Sequence, residues 1–491
     1  VKVDFSHGAY TARSVTADAQ RQINLYAEPG STDSPHKVSL YPTPGLQLVA
    51  DYTGTITGRC RGLHWASGNL QLYAVFGMTF VRINTDWTYA LIGTLTGSVD
   101  DGYPVSMADN GTTIFIVDGR IDTGWTYNIF TGTFAAVADP AFSGSTRVDY
   151  IDTYFIFHNI NTQQFYISNS LDVTFNPLWF AGKVGYSDLL VSIAALHDAI
   201  WLFGETTTEL WFNSGAPDFP FQRMSGAILP FGCASTYSVV VAGNGVYWMS
   251  QDRHGRLMFM RGEGYKAVRV SNFAVEQAWS QYNLNAGAII SMVYQVDGHE
   301  FIVIQFTNIG VTWVLDATTE FWHQRQTGGG AWLPGALAFW KAGGFGGTSL
   351  TNSVVAGDSS VAKLYTLERT QYTDNGVPIT RLRSWPHVLP GSYSQLGVKT
   401  ESGQQRVSHH QFVAAMPGTS LSPDQVSLRW SDDGGQTFGT PVTQTTNNAS
   451  NGQYSWRRLG MARDRVYELS WTATGETALN GAWVELEPAG T

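Results

Sequence analysis

His197–Phe212 reads HDAIWLFGETTTELWF: two short apolar runs joined by a polar turn. Ile200-Trp201-Leu202-Phe203 is apolar at every position. A strand with one solvated face would alternate, so this run predicts a strand buried on both faces. The strand-turn-strand arrangement recurs along the chain. Leu70 to Val75 and Thr79 to Ile83 flank Phe76-Gly77-Met78, and TTIFIV (112–117) lies between Asn110-Gly111 and Asp118-Gly119. YIDTYFIFH is followed by QQFYIS, GNGVYWMS by RLMFMR, GHEFIVIQF by VTWVLD, and SVVAGDSS by KLYTLE. Seven such units at intervals of roughly 40 to 55 residues have the period of propeller blades, each a small antiparallel sheet. One such run alone would equally suit the core of a β-sandwich. The regular spacing favours a β-propeller of six or seven blades.

Composition agrees. The chain of 491 residues carries 52 glycines, 17 tryptophans, 22 tyrosines and 26 phenylalanines against 14% charged residues, as an all-β, turn-rich protein does. No run approaches the length of a membrane-spanning helix. Net charge is −10, which argues against a protein that clamps nucleic acid by neutralising phosphates. Cys60 and Cys233 are far apart and lack any CxxC spacing, so two free buried thiols are expected. NFAVEQAWSQ (272–281) is the one stretch that reads as helix, with Phe273, Val275 and Trp279 on its apolar side.

Outside the repeats, residues 1–50 read as an extended N-terminal arm, with prolines 42 and 44 forcing extended backbone before them. The propeller is placed at 51–392. Pro386, Pro390 and Gly391 mark a break, and 393–491 reads as a smaller β-sandwich-like domain. Within it, Val426, Leu428 and Trp430 alternate with Ser427 and Arg429, and Tyr467, Leu469 and Trp471 share one face of a second strand. Ser-Asp-Asp-Gly-Gly between them predicts a tight turn, because Asp accepts from nearby backbone N–H groups and glycine tolerates positive φ. Adjacent His409 and His410 point to opposite faces of a strand and cannot readily share a metal ion. The segment Thr327 to Ser349 departs from the pattern: glycine-dense, with Trp332, Phe339, Trp340 and Phe345 reading as surface aromatics. It reads equally as an internal blade strand with flexible edges or as a candidate loop for lining or closing a channel or for docking a partner.

Ser431-x-Asp433-x-Gly435-x-Thr437-Phe438 is similar to the Asp-box of sialidase-like propellers. The longer pattern resembles another family. RWSDDGG with RRLG and ARDRVYELS, together with Asn24-Leu25-Tyr26 and Pro44-Gly45-Leu46, resembles the tail nozzle (hub, or packaged-DNA stabilisation) proteins of short-tailed bacteriophages. That resemblance implies a structural subunit of the virion tail, assembled in the host cytoplasm into a homo-oligomeric, usually hexameric, ring. The ring attaches below the head-to-tail adaptor, meets tail fibre, spike or needle proteins, retains the packaged genome and lets it exit.

Motifs for chemistry are sparse. GxSxG, HExxH and a Walker loop do not occur, so no catalytic residue, metal or cofactor is expected. Alternatives are a carbohydrate- or receptor-binding tail propeller, or a sialidase-like glycoside hydrolase. The hydrolase would need several Asp-boxes and a cluster of arginines on the substrate carboxylate, and the arginines here are scattered. For a ring that must release DNA quickly, double-stranded DNA is expected to pass without tight binding, along a face enriched in Asp and Glu.

Overall fold

The computed structural model describes residues 1–491 except 1, 4–7, 15, 32, 34–35, 283–288, 342–351, 390–405, 418–424, 446–451 and 489–491. Seven antiparallel units follow one another among the described residues, of four strands each at 60–94, 106–136, 148–182, 190–229, 240–269 and 289–325 and of three strands at 334–368. They are blades 1 to 7 of a β-propeller. Each corresponds to one of the seven apolar units in the sequence.

Ala199–Gly204, in blade 4, explains why those units are apolar throughout. Ile200 and Leu202 pack with Ile156, Phe165 and Ile167 of blade 3. Trp201 and Phe203 turn the other way, into a core shared with Val246, Trp248 and Met260 of blade 5. Alternate residues of one strand thus serve alternate neighbours, and solvent reaches neither face. The fit is close enough to require glycine at 262, where a Cβ would stand 2.4 Å from the Trp201 ring.

Blade 7 is completed from the other end of the chain. Its first three strands are Pro334–Lys341, Asn352–Asp358 and Lys363–Glu368, and its fourth is Gly45–Asp51. Leu46 pairs with Leu367 and Leu48 with Tyr365. The boundary expected near residue 50 therefore differs from the structure, where Gly45–Asp51 is a propeller strand. A strand whose partner lies more than 300 residues downstream carries no local mark of that partner.

A second domain is built on blade 6. The outer strand Phe321–Arg325 continues through Gln22–Ile23 and Arg381–Ser384 to Val466–Thr472, Gln425–Ser431 and Val442–Thr445. Facing this nine-stranded sheet is another, ordered Lys2–Val3, Gly481–Pro488, Val407–Ala415, Gln453–Arg457. Phe412, Trp456 and Val484 of one meet Leu428, Tyr467 and Leu469 of the other. The result is a β-sandwich whose strands come from both ends of the chain and from 381–384, more than 393–491 alone would supply.

The helix forms at Phe273–Trp279, capped by Asn272, whose Oδ1 accepts from the Val275 N–H at 2.9 Å. Val275 and Trp279 are buried as expected. Phe273 is not: it is 66% exposed, with the Arg269 guanidinium over its ring. Cys60 and Cys233 are free and buried, and burial pushes their thiols up to about 12 and about 11.

Two outcomes follow from this packing. Leu46 is fully buried while Leu48, two residues on, is 40% exposed. Leu46→Ala should lower unfolding free energy by about 2–5 kcal/mol and Leu48→Ala by less than about 0.5 kcal/mol, read from denaturant midpoints. In blade 3, burial with the nearby Arg147 charge holds the His158 imidazole down at about 4, against about 6.5 in the unfolded chain. The unfolded state binds the extra proton first, so this stability is complete above pH ~6.5 and lost as pH falls toward 4. His158→Asn should flatten that part of a melting-temperature profile.

Candidate functional site

The motifs singled out in the sequence fall at three places. At the first, the turn after Gln425–Ser431, Asp433 is the organising group. Its carboxylate accepts from the N–H groups of Gln436 (3.1 Å) and Thr437 (2.9 Å), and from the hydroxyls of Ser431 and Thr437, both at 2.5 Å. The Ser431 hydroxyl in turn accepts from the Gly435 N–H at 2.8 Å. Every lone pair of Asp433 is engaged inside the turn, and its hydroxyl and amide donors hold its carboxyl down at about 2. Gly434 and Gly435 both take positive φ, and Thr16 of the N-terminal segment packs directly on Gly434.

Asp432 does something the sequence reading did not assign. Both its oxygens accept from Arg465, at 2.6 and 2.9 Å. Arg465 is buried, donates also to the Leu459 carbonyl at 2.7 Å, and lies beside the rings of Trp430 and Tyr467. Three residues on, Glu468, also buried, accepts from Arg429 at 2.6 Å and Arg21 at 3.2 Å. The SDDGG and RDRVYE segments are thus two halves of one clamp, fixed by a bidentate carboxylate–guanidinium pair. His409 and His410 diverge: His409 Nδ1 pairs with the Tyr467 hydroxyl at 2.8 Å, and His410 with Glu487 at 3.0 Å.

The second place is the junction of propeller and sandwich. Asn24 adopts a left-handed φ of 55°, which asparagine tolerates better than most residues. Its amide donates to the carbonyls of Gln326 and Thr380 at 3.0 and 2.9 Å and accepts from the Gln326 N–H at 2.9 Å. Leu25 then enters the sandwich core, while Tyr26 enters the core of blades 6 and 7 against Phe301. Farther on, the carbonyl of Pro44 accepts from buried Arg325 at 2.6 Å. Gly45 sits so tightly that a Cβ would lie 2.4 Å from the Gln371 carbonyl oxygen.

The third place corrects an expectation. Trp332 and Trp340 are fully buried and are not surface aromatics. Arg325 stacks on Trp332 at 3.8 Å, and Trp340 fills the blade 7–blade 1 core, edge-on to Trp87. Blade 7 needs large side chains there to meet its neighbours, and glycine density in the surrounding sequence masked that. Phe339 is 51% exposed, and Phe345 lies outside the described residues.

The innermost strands of all seven blades surround an axial cavity of about 580 Å³, lined among others by Arg61, Met107, Arg147, Tyr237, Ile290 and Leu337. Arg61 is pinned by the carbonyls of Tyr103 and Gly77 and by the Ser98 hydroxyl. The cavity has the volume of a small-molecule pocket.

Comparison with known proteins gives one family. The family model described as Phage_stabilise, "Bacteriophage P22 Gp10, beta-propeller", matches residues 1–372. No curated protein sequence matches the chain. Solved structures similar to it include a Myceliophteria thermophila Cps50 (Swd1) β-propeller domain, at 9% identity over 65% of this chain and 99% of that one, TM-score 0.41. U3-55K is similar at 10% identity over 66% and 100%, TM-score 0.39. The computationally designed Ika8 protein is similar at 13% identity over 71% and 99%, TM-score 0.38.

The clamp yields a test. Asp433 has a folded pKa below its unfolded value, so its contribution is present above pH ~4 and lost as pH falls toward 2. Asp433→Asn should lower the melting temperature at pH 6, with the difference from the unaltered protein shrinking as pH approaches 2. Arg465→Met, which leaves Asp432 unpaired and removes the buried guanidinium, should lower it at both pH values.

Proposed function

This chain belongs to the bacteriophage P22 Gp10 β-propeller family, and from that premise we propose that it is a subunit of the phage tail nozzle. In this reading copies of the chain, six in the usual arrangement, form a ring below the head-to-tail adaptor. The ring retains the packaged genome and provides the conduit through which it leaves. The observation that carries the reading is the family match over 1–372, which includes Asn24–Tyr26 and Pro44–Leu46, the segments that tie propeller to sandwich. The protein is a structural part of the virion tail, not an enzyme of it.

The geometry bears on where DNA would run. A cavity of about 580 Å³ inside one propeller cannot admit a duplex, so a conduit would be bounded by several copies. With −10 net charge on each subunit, a ring would repel the phosphate backbone and keep the duplex centred. Many phosphate contacts would raise affinity through counterion release and stall passage. Retention would then come from closure or from another tail component. Adaptor, fibre, spike or needle proteins are the partners such a ring implies. Phe339, the exposed aromatic among the described residues of its segment, is a candidate contact residue for one of them.

Electron microscopy of the purified protein, or of particles containing it, should show closed rings with a central opening. The same preparation should retain little duplex DNA on filters at about 150 mM salt. Tight, salt-sensitive retention, or a persistent monomer in particles, would overturn the reading.

A further inference from the structure

The second sheet of the sandwich ends on an edge that carries unpaired positive charge. Gln453–Arg457 and Met461–Ala462 form that edge and, among the described residues, pair with Val407–Ala415 alone. We propose that this edge is one side of the contact between neighbouring copies of the chain, taking carboxylates on the propeller of the next copy. The proposal rests on the ring reading and names a surface for it.

Four arginines build the edge. Arg457 pairs with Gln411 on the outer face of the sheet, since Trp456 and Phe412 beside them point into the core. The pairing of Val407 with Ala462 brings Arg406 and Arg463, the next residue out on each segment, to one corner. Arg458 takes a left-handed φ of 61°, where its N–H donates to the His410 carbonyl at 2.9 Å. All four are exposed, and their side chains have no hydrogen bond or ion pair among the described residues. Like charges gathered on one edge repel each other, and a long side chain at positive φ is strained.

Nearby carboxylates do not neutralise them. Asp432 is taken by Arg465, Asp464 by His387 at 2.8 Å and Glu487 by His410 at 3.0 Å. Glu485 lies on the far side of Val407–Ala415, opposite Gln411. Guanidinium groups left open in this way match the two oxygens of a carboxylate.

Charge distribution selects the occupant. Residues 45–368 hold 25 acidic and 15 basic residues, so the whole net charge of −10 lies in the propeller, and the rest of the chain balances at 14 of each. Exposed carboxylates without partners among the described residues stand on its hairpin turns. They are Asp152 and Asp198, each between the first two strands of blades 3 and 4, and Asp218 before the last strand of blade 4. The sandwich grows from the outer strand of blade 6, and blade 3, three places round a ring of seven, lies across the propeller from it. Basic and acidic surfaces on opposite sides of one subunit make a head-to-tail contact, the kind that propagates into a ring. A duplex is the poorer occupant, because its continuous run of phosphates would also meet Glu485 and Glu487 on the same sheet.

Sedimentation velocity and electron microscopy of the full chain test this. Rings of the unaltered protein should loosen as salt rises from about 50 to 500 mM. Arg457→Glu with Arg463→Glu should raise their dissociation constant about tenfold or more at about 150 mM salt. Arg457→Lys with Arg463→Lys keeps the charge and should move it less. Arg253→Glu with Lys266→Glu, the same charge change on exposed residues of blade 5, should leave it unchanged. Thermal melts check that each variant folds. Rings indifferent to the arginine reversal, or weakened as much by the blade 5 change, would overturn the proposal and leave the nozzle reading standing. Duplex DNA retained by the unaltered protein and released by the arginine reversal would assign the edge to nucleic acid and overturn it too. Absence of rings from the unaltered protein counts against the nozzle reading and takes the proposal with it.

Discussion

The structure depends on one long-range pairing, Gly45–Asp51 against Lys363–Glu368. Each blade of this propeller is apolar on both faces, so each is stable only between two neighbours. A row of seven blades would leave two such faces open. Curling the row into a ring brings blade 7 against blade 1, where Trp340, Val355 and Leu364 meet Leu72, Ala74 and Phe76. The pairing through 45–51 locks that approach, because it makes one blade out of both ends of the repeat. Closing so long a loop costs chain entropy that grows only with the logarithm of its length. A few fully buried side chains such as Leu46 and Leu367 are of the right scale to offset it.

Once the ring is locked this way, the chain before residue 45 has to leave it near blades 6 and 7. That exit is where the second domain grows. Asn24 joins Gln326 of the blade 6 exit to Thr380 of the return segment, and Arg383 gathers Gln20, Gln22 and the Gly8 carbonyl. These buried polar groups satisfy backbone that would otherwise be orphaned where three segments cross. Arg325 adds a stacked guanidinium that donates to both Pro44 and Tyr294. The sandwich is accordingly an outgrowth of blade 6 sharing a nine-stranded sheet, not a module hung on a linker.

What was legible in the sequence was whatever is local. Ile200–Phe203 and its six counterparts announced strands buried on both faces, and their spacing announced the propeller. Asp433 announced its turn because its partners lie within four residues. Gly45–Asp51 gave no such sign, since a strand of ordinary composition does not reveal which sheet it joins. Trp332 and Trp340 were misleading for the reverse reason: glycine-rich surroundings suggest a surface loop, but inter-blade space is filled by whichever large residue the strand register points inward. Asp432 looked like half of a turn and is half of an ion pair, because Arg465 reaches it only through the strand pairing of Gln425–Ser431 with Val466–Thr472.

The same logic separates the parts of this molecule that make it a fold from those that could make it an assembly. Asn24, Gly45, Asp433 and Arg465 are fully engaged inside the chain. They have little left to offer a neighbour. Groups free to act between molecules are of another kind: side chains held outward by a rigid base and left without partners. A propeller suits this division because its blades hold each other rigid. The outer strands of blades 1 to 5 are then free to present side chains at little conformational cost on binding, while the inner strands and the junction keep the scaffold in one shape.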